Sequence, residues 1–203
     1  MSAGPDIVFT DAVKAQQAGR GARGLHARAA ETRPWPDAVT PDPARSIEAQ
    51  ASVFLGTAGA EGQPCIQHRG GPPGDLEVLD GGRLGAADRG GNRQCITLGN
   101  LSGNPRAVLF PIDHAGRQRI KIWGRAQVVE DDPELLARLG TGPDAAKAVR
   151  ATLFGIEAWD ATCPQYIPRR FDETEVENAL RFRDARIAEL EARLAQMAEA
   201  GGG

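Results

Sequence analysis

Between Leu84 and Asn100 a strand-like run ending at Ala87 passes into a polar turn, Asp88-Arg89-Gly90-Gly91-Asn92-Arg93, and then into a run with helical character, Asn92 to Leu101. A helix start offers backbone N–H groups with no intrahelical acceptor, and a guanidinium adds a planar fork of donors. The junction is therefore chemically suited to an anion such as phosphate. Asn92 and Arg93 are the phosphate candidates, and the competing reading is that Arg89 and Arg93 only solvate a turn. His68, beside Arg69, reads either as a proton donor or as a hydrogen-bonded wall residue. Cys163, before Pro164, reads either as a reactive thiol or as a small buried apolar side chain.

Other chemistries lack their parts. The chain holds no G-x-S-x-G, no H-E-x-x-H and no P-loop, which sets aside the usual hydrolytic and nucleotide-triphosphate machinery. Gly19-Arg20-Gly21-Ala22-Arg23-Gly24 does match G-x-G-x-x-G, but that motif works only between a buried strand and a helix. Here the polar helical run Asp11 to Gln17 precedes it, so a flexible Arg/Gly link is expected. Three cysteines (Cys65, Cys95, Cys163) and three histidines (His26, His68, His114) are too dispersed for a disulfide framework or a zinc knuckle.

The 203 residues carry 24 Lys and Arg, of which 21 are Arg, against 27 Asp and Glu, and the formal charge of -3 gives no attraction to nucleic acid or an anionic membrane. A small molecule or a protein remains as partner. No stretch approaches the length of an apolar span, and Asp6, Asp11 and Lys14 stand where a secretion signal would run basic and then apolar, so a cytoplasmic location is expected.

The elements that must position these residues are legible in part. Thr10 caps a helix that stops at Gly19, and Pro34, Pro36, Pro41 and Pro43 make a stiff connector before a short helix over Ala44 to Ala51. Ser52 to Thr57 and Cys65 to His68 form one hairpin, and Leu76 to Leu79 and Leu84 to Ala87 another. Asn104-Pro105 ends the helical run. Ala107 to Ile112 is apolar throughout and is expected to be buried on both faces, whereas Arg119 to Val129 alternates Ile120, Ile122, Ala126 and Val128 with polar residues. Asp132-Pro133 starts a helix, Thr152 to Ala158 is a last strand, and Asp160 to Phe171 is a loop. In the tail, Leu180, Ile187 and Leu194 recur every seven residues, with Val176, Leu190 and Met197 interleaved. That stripe packs either on the chain's own barrel or against a second copy.

The order of these features resembles the pyridoxamine 5'-phosphate oxidase-like FMN-binding split barrels. The likeness rests on the turn with Arg93, Asn104-Pro105-Arg106-Ala107, and Arg119-Ile120-Lys121-Ile122-Trp123-Gly124-Arg125-Ala126, and it covers roughly Ala51 to Trp159. Gln67-His68-Arg69-Gly70-Gly71-Pro72-Pro73-Gly74, Gly91-Asn92-Arg93-Gln94 and Cys163-Pro164-Gln165-Tyr166-Ile167-Pro168 are similar to an uncharacterised flavoprotein subgroup of that family.

The resemblance implies a mainly β fold with flanking helices (α+β). It would be a six- to seven-stranded antiparallel split β-barrel over residues 51–171, between an N-terminal helix and connector (1–50) and a C-terminal heptad helix (172–203). It implies FMN lined by Gln67, His68 and Arg69, a phosphate held at Asn92 and Arg93, further cofactor-binding residues at Asp88 and Thr97, and a polar contribution from Arg119 at the start of the long strand. It further implies a homodimer with a site at the two-fold interface, and flavin-mediated hydride or electron transfer with a small-molecule substrate. A flavin- or haem-binding carrier or sensor without turnover is the alternative. The family's substrate-gripping Arg-Leu-His-Asp-Arg type ending has no counterpart in Arg181-Phe182-Arg183-Asp184-Ala185-Arg186, which argues against vitamin B6 oxidation.

Overall fold

A computed structural model describes residues 4–140, 144–162 and 165–201. The chain divides into two compact units, one of Met1–Asp113 with Gln118–Gln165 and one of His114–Arg117 with Tyr166–Gly203.

The first unit is built on seven strands: β1 (Ser52–Ala58), β2 (Pro64–Gly70), β3 (Leu76–Asp80), β4 (Arg83–Asp88), β5 (Arg106–Asp113), β6 (Gln118–Val129) and β7 (Arg150–Thr162). They form a single antiparallel sheet in the order β2-β1-β5-β6-β7-β4-β3. Residues from both end strands, Arg69 of β2 and Leu76 of β3, line one interior cavity. The sheet therefore curls on itself without β2 and β3 pairing, and the architecture is a split barrel with flanking helices.

Alternation explains the interior. Ile120, Ile122 and Ala126 of β6 point inward and are buried, and they meet Val53 and Leu55 of β1, Leu84 of β4, Leu109 of β5 and Phe154 of β7 in one core. β5 corrects one expectation. Its residues alternate between buried (Ala107, Leu109) and half-buried (Val108, Phe110), so only one face is fully covered.

The helices are α1 (Asp11–Gly19), α2 (Arg23–Thr32), α3 (Pro41–Glu48), α4 (Ile96–Gly103), α5 (Pro133–Leu139) and α6 (Glu173–Gly201). Thr10 caps α1 by accepting from Val13 N, and Asp132 caps α5 by accepting from Leu135 N. The G-x-G-x-x-G segment is a tight turn between two helices, with Gly21 at φ 69°, and not a flexible link; α2 begins at Arg23. α3 starts three residues earlier than expected, because proline is tolerated in a first helical turn, where its missing N–H has no acceptor to lose. Its Ile47 is fully buried, and Glu48 Oε1 accepts Val78 N at 2.9 Å, which satisfies a donor on the end strand β3. β7 runs on to Thr162, so the first part of the expected loop from Asp160 is strand.

In the second unit, α6 carries the heptad stripe, with Val176, Leu180, Ile187, Leu190, Leu194 and Met197 all exposed in the single chain. His114 Nδ1 lies 3.2 Å from Pro168 O within this unit. Cys163 and Pro164 lie outside the described residues. Among the described residues no helix is long and apolar enough to cross a membrane.

Candidate functional site

The ends of β2 and β4 and the start of α4 enclose a cleft of about 410 Å³. Gln67, His68, Arg69, Asp88, Asn92, Arg93 and Thr97 all line it. Arg119 does not: as the second residue of β6 it lies opposite Ile112 and Thr162, and lines a separate narrow pocket with Ser46, Gln50 and Pro111.

The loop into the cleft is shaped by short-range hydrogen bonds. Asp88 Oδ1 accepts Gly90 N at 2.9 Å and Asn92 Oδ1 accepts Gln94 N at 3.1 Å, each a side chain turning its own backbone two residues on. Arg93 and Cys95 adopt left-handed backbone (φ 58° and 56°), which an α-helix cannot contain. The helix expected from Asn92 therefore begins at Ile96. That setback leaves Asn92 and Arg93 on the cleft wall. Cys95, the N-cap, provides no side-chain acceptor, so the first-turn N–H groups of Ile96, Thr97 and Leu98 meet the cleft without a side-chain cap.

Charge follows the same geometry. Arg69 Nη1 is 3.5 Å from Asp88 Oδ1, and Arg150 Nε is 3.7 Å from Asp88 Oδ2. Arg150 also reaches Glu130 at 3.0 Å. Three guanidiniums, those of Arg69, Arg93 and Arg150, thus line the cleft against one lining carboxylate, Asp88. Arg150 Nε is buried and makes no hydrogen bond among the described residues, an orphan donor at the site. Arg150 escapes sequence reading because the apolar strand signal begins only at Thr152, although β7 starts at Arg150. Only the antiparallel register Asp88↔Arg150 brings it beside the loop.

The opposite wall is held by pairs. Thr97 Oγ1 donates to Gln67 Oε1, tying α4 to β2. His68 Nε2 shares a hydrogen bond of 2.8 Å with Ser52 Oγ, and its ring lies 5.6 Å from that of Phe54, which favours the wall reading of His68 over the proton donor. Through His68, Arg69, Asp88 and Gly91 the cleft adjoins the interior cavity of about 210 Å³, lined by Val53, Leu55, Leu84, Leu109 and Phe154.

Arg89, the other arginine of the turn, does not merely solvate it. Its two terminal nitrogens grip both oxygens of Asp75, the residue before β3, at the open end of the β3–β4 hairpin, one of them at 2.7 Å. The Asp75 carboxylate holds the Arg89 guanidinium above its ordinary pKa. A Cβ on Gly71 would fall 1.7 Å from Asp75 Oδ2, so the Gly-Gly-Pro-Pro-Gly loop has the shape that lets this pair form.

The surplus of guanidinium over carboxylate, an orphan N–H and an uncapped helix start fit a phosphate monoester. Among the described residues no group of His, Cys, Asp and Glu could hold a metal ion.

Comparison with a family model agrees with this architecture. Residues 41–163, more than half of the chain, match the family model described as pyridoxamine 5'-phosphate oxidase. No curated protein matches. Among solved structures, an FMN-binding protein from Syntrophomonas wolfei is 13% identical, with a TM-score of 0.47 over 73% of this chain and 97% of that one. A protein related to general stress protein 26, of the pyridoxinephosphate oxidase family, from Clostridium acetobutylicum is 17% identical, with a TM-score of 0.45 over 66% and 94%. HupZ of Group A Streptococcus is 14% identical, with a TM-score of 0.48 over 66% and 99%.

Proposed function

Because the chain belongs to the pyridoxamine 5'-phosphate oxidase family, we propose that its cleft binds FMN by the phosphate and that the protein is a flavin-dependent oxidoreductase acting on a small molecule. The observation that carries this reading is the convergence of Arg69, Arg93 and Arg150 on the uncapped start of α4.

Bound flavin supplies hydride or electron transfer, and the chain supplies anchoring, orientation and control of solvent. Arg93 and Arg150 offer guanidinium donors to the phosphate, and Asp88 positions Arg150 and Arg69 by opposing charge. Gln67, fixed by Thr97, presents a preset polar group to the ring, and His68, fixed by Ser52, stands on the outer face of β2 at the edge of the cleft. The apolar interior beside them keeps water from that side.

We further propose that two copies pair through the outer face of β2, β1 and β5. Ile66 of β2 is 73% exposed and Phe54 of β1 37% exposed, and the register sets Phe54 against His68 and Phe110, and Gly56 against Ile66 and Val108. An apolar row running up to His68, a cleft residue, suits a second barrel closing over the cleft.

The test is the absorption spectrum of the purified, FMN-reconstituted protein, with mass analysis of the released cofactor. A flavin spectrum with micromolar or tighter FMN supports the reading, and its absence overturns it. Rapid flavin reduction by a physiological donor separates an enzyme from a carrier or sensor.

A further inference from the structure

A further cavity lies away from the cleft, between the N-terminal arm and the outer face of β6 and β7. It measures about 350 Å³, within the range of small-molecule sites. One wall is aromatic: Trp35 stacks on Trp123 with centroids 4.8 Å apart and planes 3° from parallel, and Phe9 meets Trp35 at 5.6 Å and His26 edge-on at 5.7 Å. The other wall is charged, with Arg33 from the residue after α2, Lys121 of β6 and Asp160 of β7. Asp160 is half-buried, and Arg33 and Lys121 act on it electrostatically rather than as ion pairs at contact distance. Two cations therefore face the cavity with one carboxylate.

We propose that this cavity is a ligand site, separate from the cofactor cleft, for a small planar aromatic carboxylate bearing a hydroxyl or ring N–H donor. The ring lies against the aromatic wall, the carboxylate meets Arg33 and Lys121, and the donor meets Asp160. The charge balance selects the sign: an anion satisfies the surplus cation, whereas an aromatic amine would meet two like charges. None of the lining residues belongs to the FMN cleft.

The test is calorimetric titration of the full chain with 4-hydroxybenzoate, with and without excess FMN. Saturable binding at one site per chain is expected, unchanged by FMN. The neutral isostere 4-hydroxybenzamide should bind about tenfold or more weakly, as should 4-hydroxybenzoate to Arg33→Gln or Lys121→Gln. Arg138→Gln, whose partner is Glu77 outside this cavity, should bind normally. Circular dichroism and the melting temperature of each variant check that the barrel is intact. Absence of saturable binding, equal binding of the amide, normal binding to both cavity variants, or displacement by FMN would each overturn the proposal. The outcome does not depend on whether the first cleft holds flavin.

Discussion

Asp88, the last residue of β4, is the antiparallel register partner of Arg150, the first residue of β7, and its Oδ2 lies 3.7 Å from Arg150 Nε. The same carboxylate turns the chain at Gly90 and faces Arg69 from β2. One side chain thus links the two strand ends, the loop and two of the three guanidiniums of the cleft.

Arg93→Ala is expected to weaken FMN by about 2 to 3 kcal/mol, the scale of a charge-assisted hydrogen-bond pair, with little loss of fold. Riboflavin, which lacks the phosphate, should be almost indifferent. Titrating both ligands into both proteins checks this, and equal weakening would mean the phosphate lies elsewhere.

Arg150→Ala should show the same FMN-selective loss, together with a lower melting temperature, because Asp88 and Glu130 each lose a partner. Arg119→Ala is the contrast. Arg119 lines a different pocket, so FMN affinity should hold; a loss as large as at Arg150 would bring it into the site.

Gly124 is the glycine of the Arg119 to Gly124 spacing, and it sits at a register shift between β6 and β7. A Cβ there would fall 1.9 Å from Gly155 O, which is backbone and cannot yield, so Gly124→Ala should cost about 3 kcal/mol or leave the protein insoluble. Gly99→Ala, in α4 with nothing within 4 Å, should instead stabilise by about 0.4 to 1 kcal/mol. Urea unfolding of both variants reads the two signs.

Burial pushes the Asp160 carboxyl up from its ordinary pKa, and Arg33 and Lys121 offset part of the rise. Between the unfolded and folded values the native state holds more proton, so stability falls as pH rises through that window and the deficit persists at neutral pH. Asp160→Asn should melt higher than the parent at neutral pH, with the gap closing in acid below the unfolded value. Thermal melts across that range decide it, and a lower neutral melting temperature would contradict the sign.

Truncation after Phe171 separates two ways of pairing. If the barrels make the main interface, the shortened chain stays dimeric in sedimentation and keeps FMN. If the exposed stripe of α6 makes it, the chain becomes monomeric. The first outcome is expected, with α6 reinforcing the dimer; a full-length monomer holding FMN tightly would contradict both.

The local features of this molecule were legible in the residues themselves. The alternation of Ile120, Ile122 and Ala126, the caps at Thr10 and Asp132, both hairpins and the heptads of α6 each depend on interactions within a few residues along the chain. The seven candidates that line the cleft were also named, through a family resemblance that implied one flavin site, yet the geometry that brings them together is not written in any local stretch. Arg150 enters only through its register with Asp88, and α4 starts late because Arg93 and Cys95 turn left-handed inside a loop bonded to itself. α2 escaped notice because Gly21 and Gly24 outweighed the helix formers between and after them, and its aromatic cavity needed Trp35 and Trp123, 88 positions apart, to meet. Contacts of that span are set by how the sheet curls and what it buries, a property of the whole fold that no window of sequence contains.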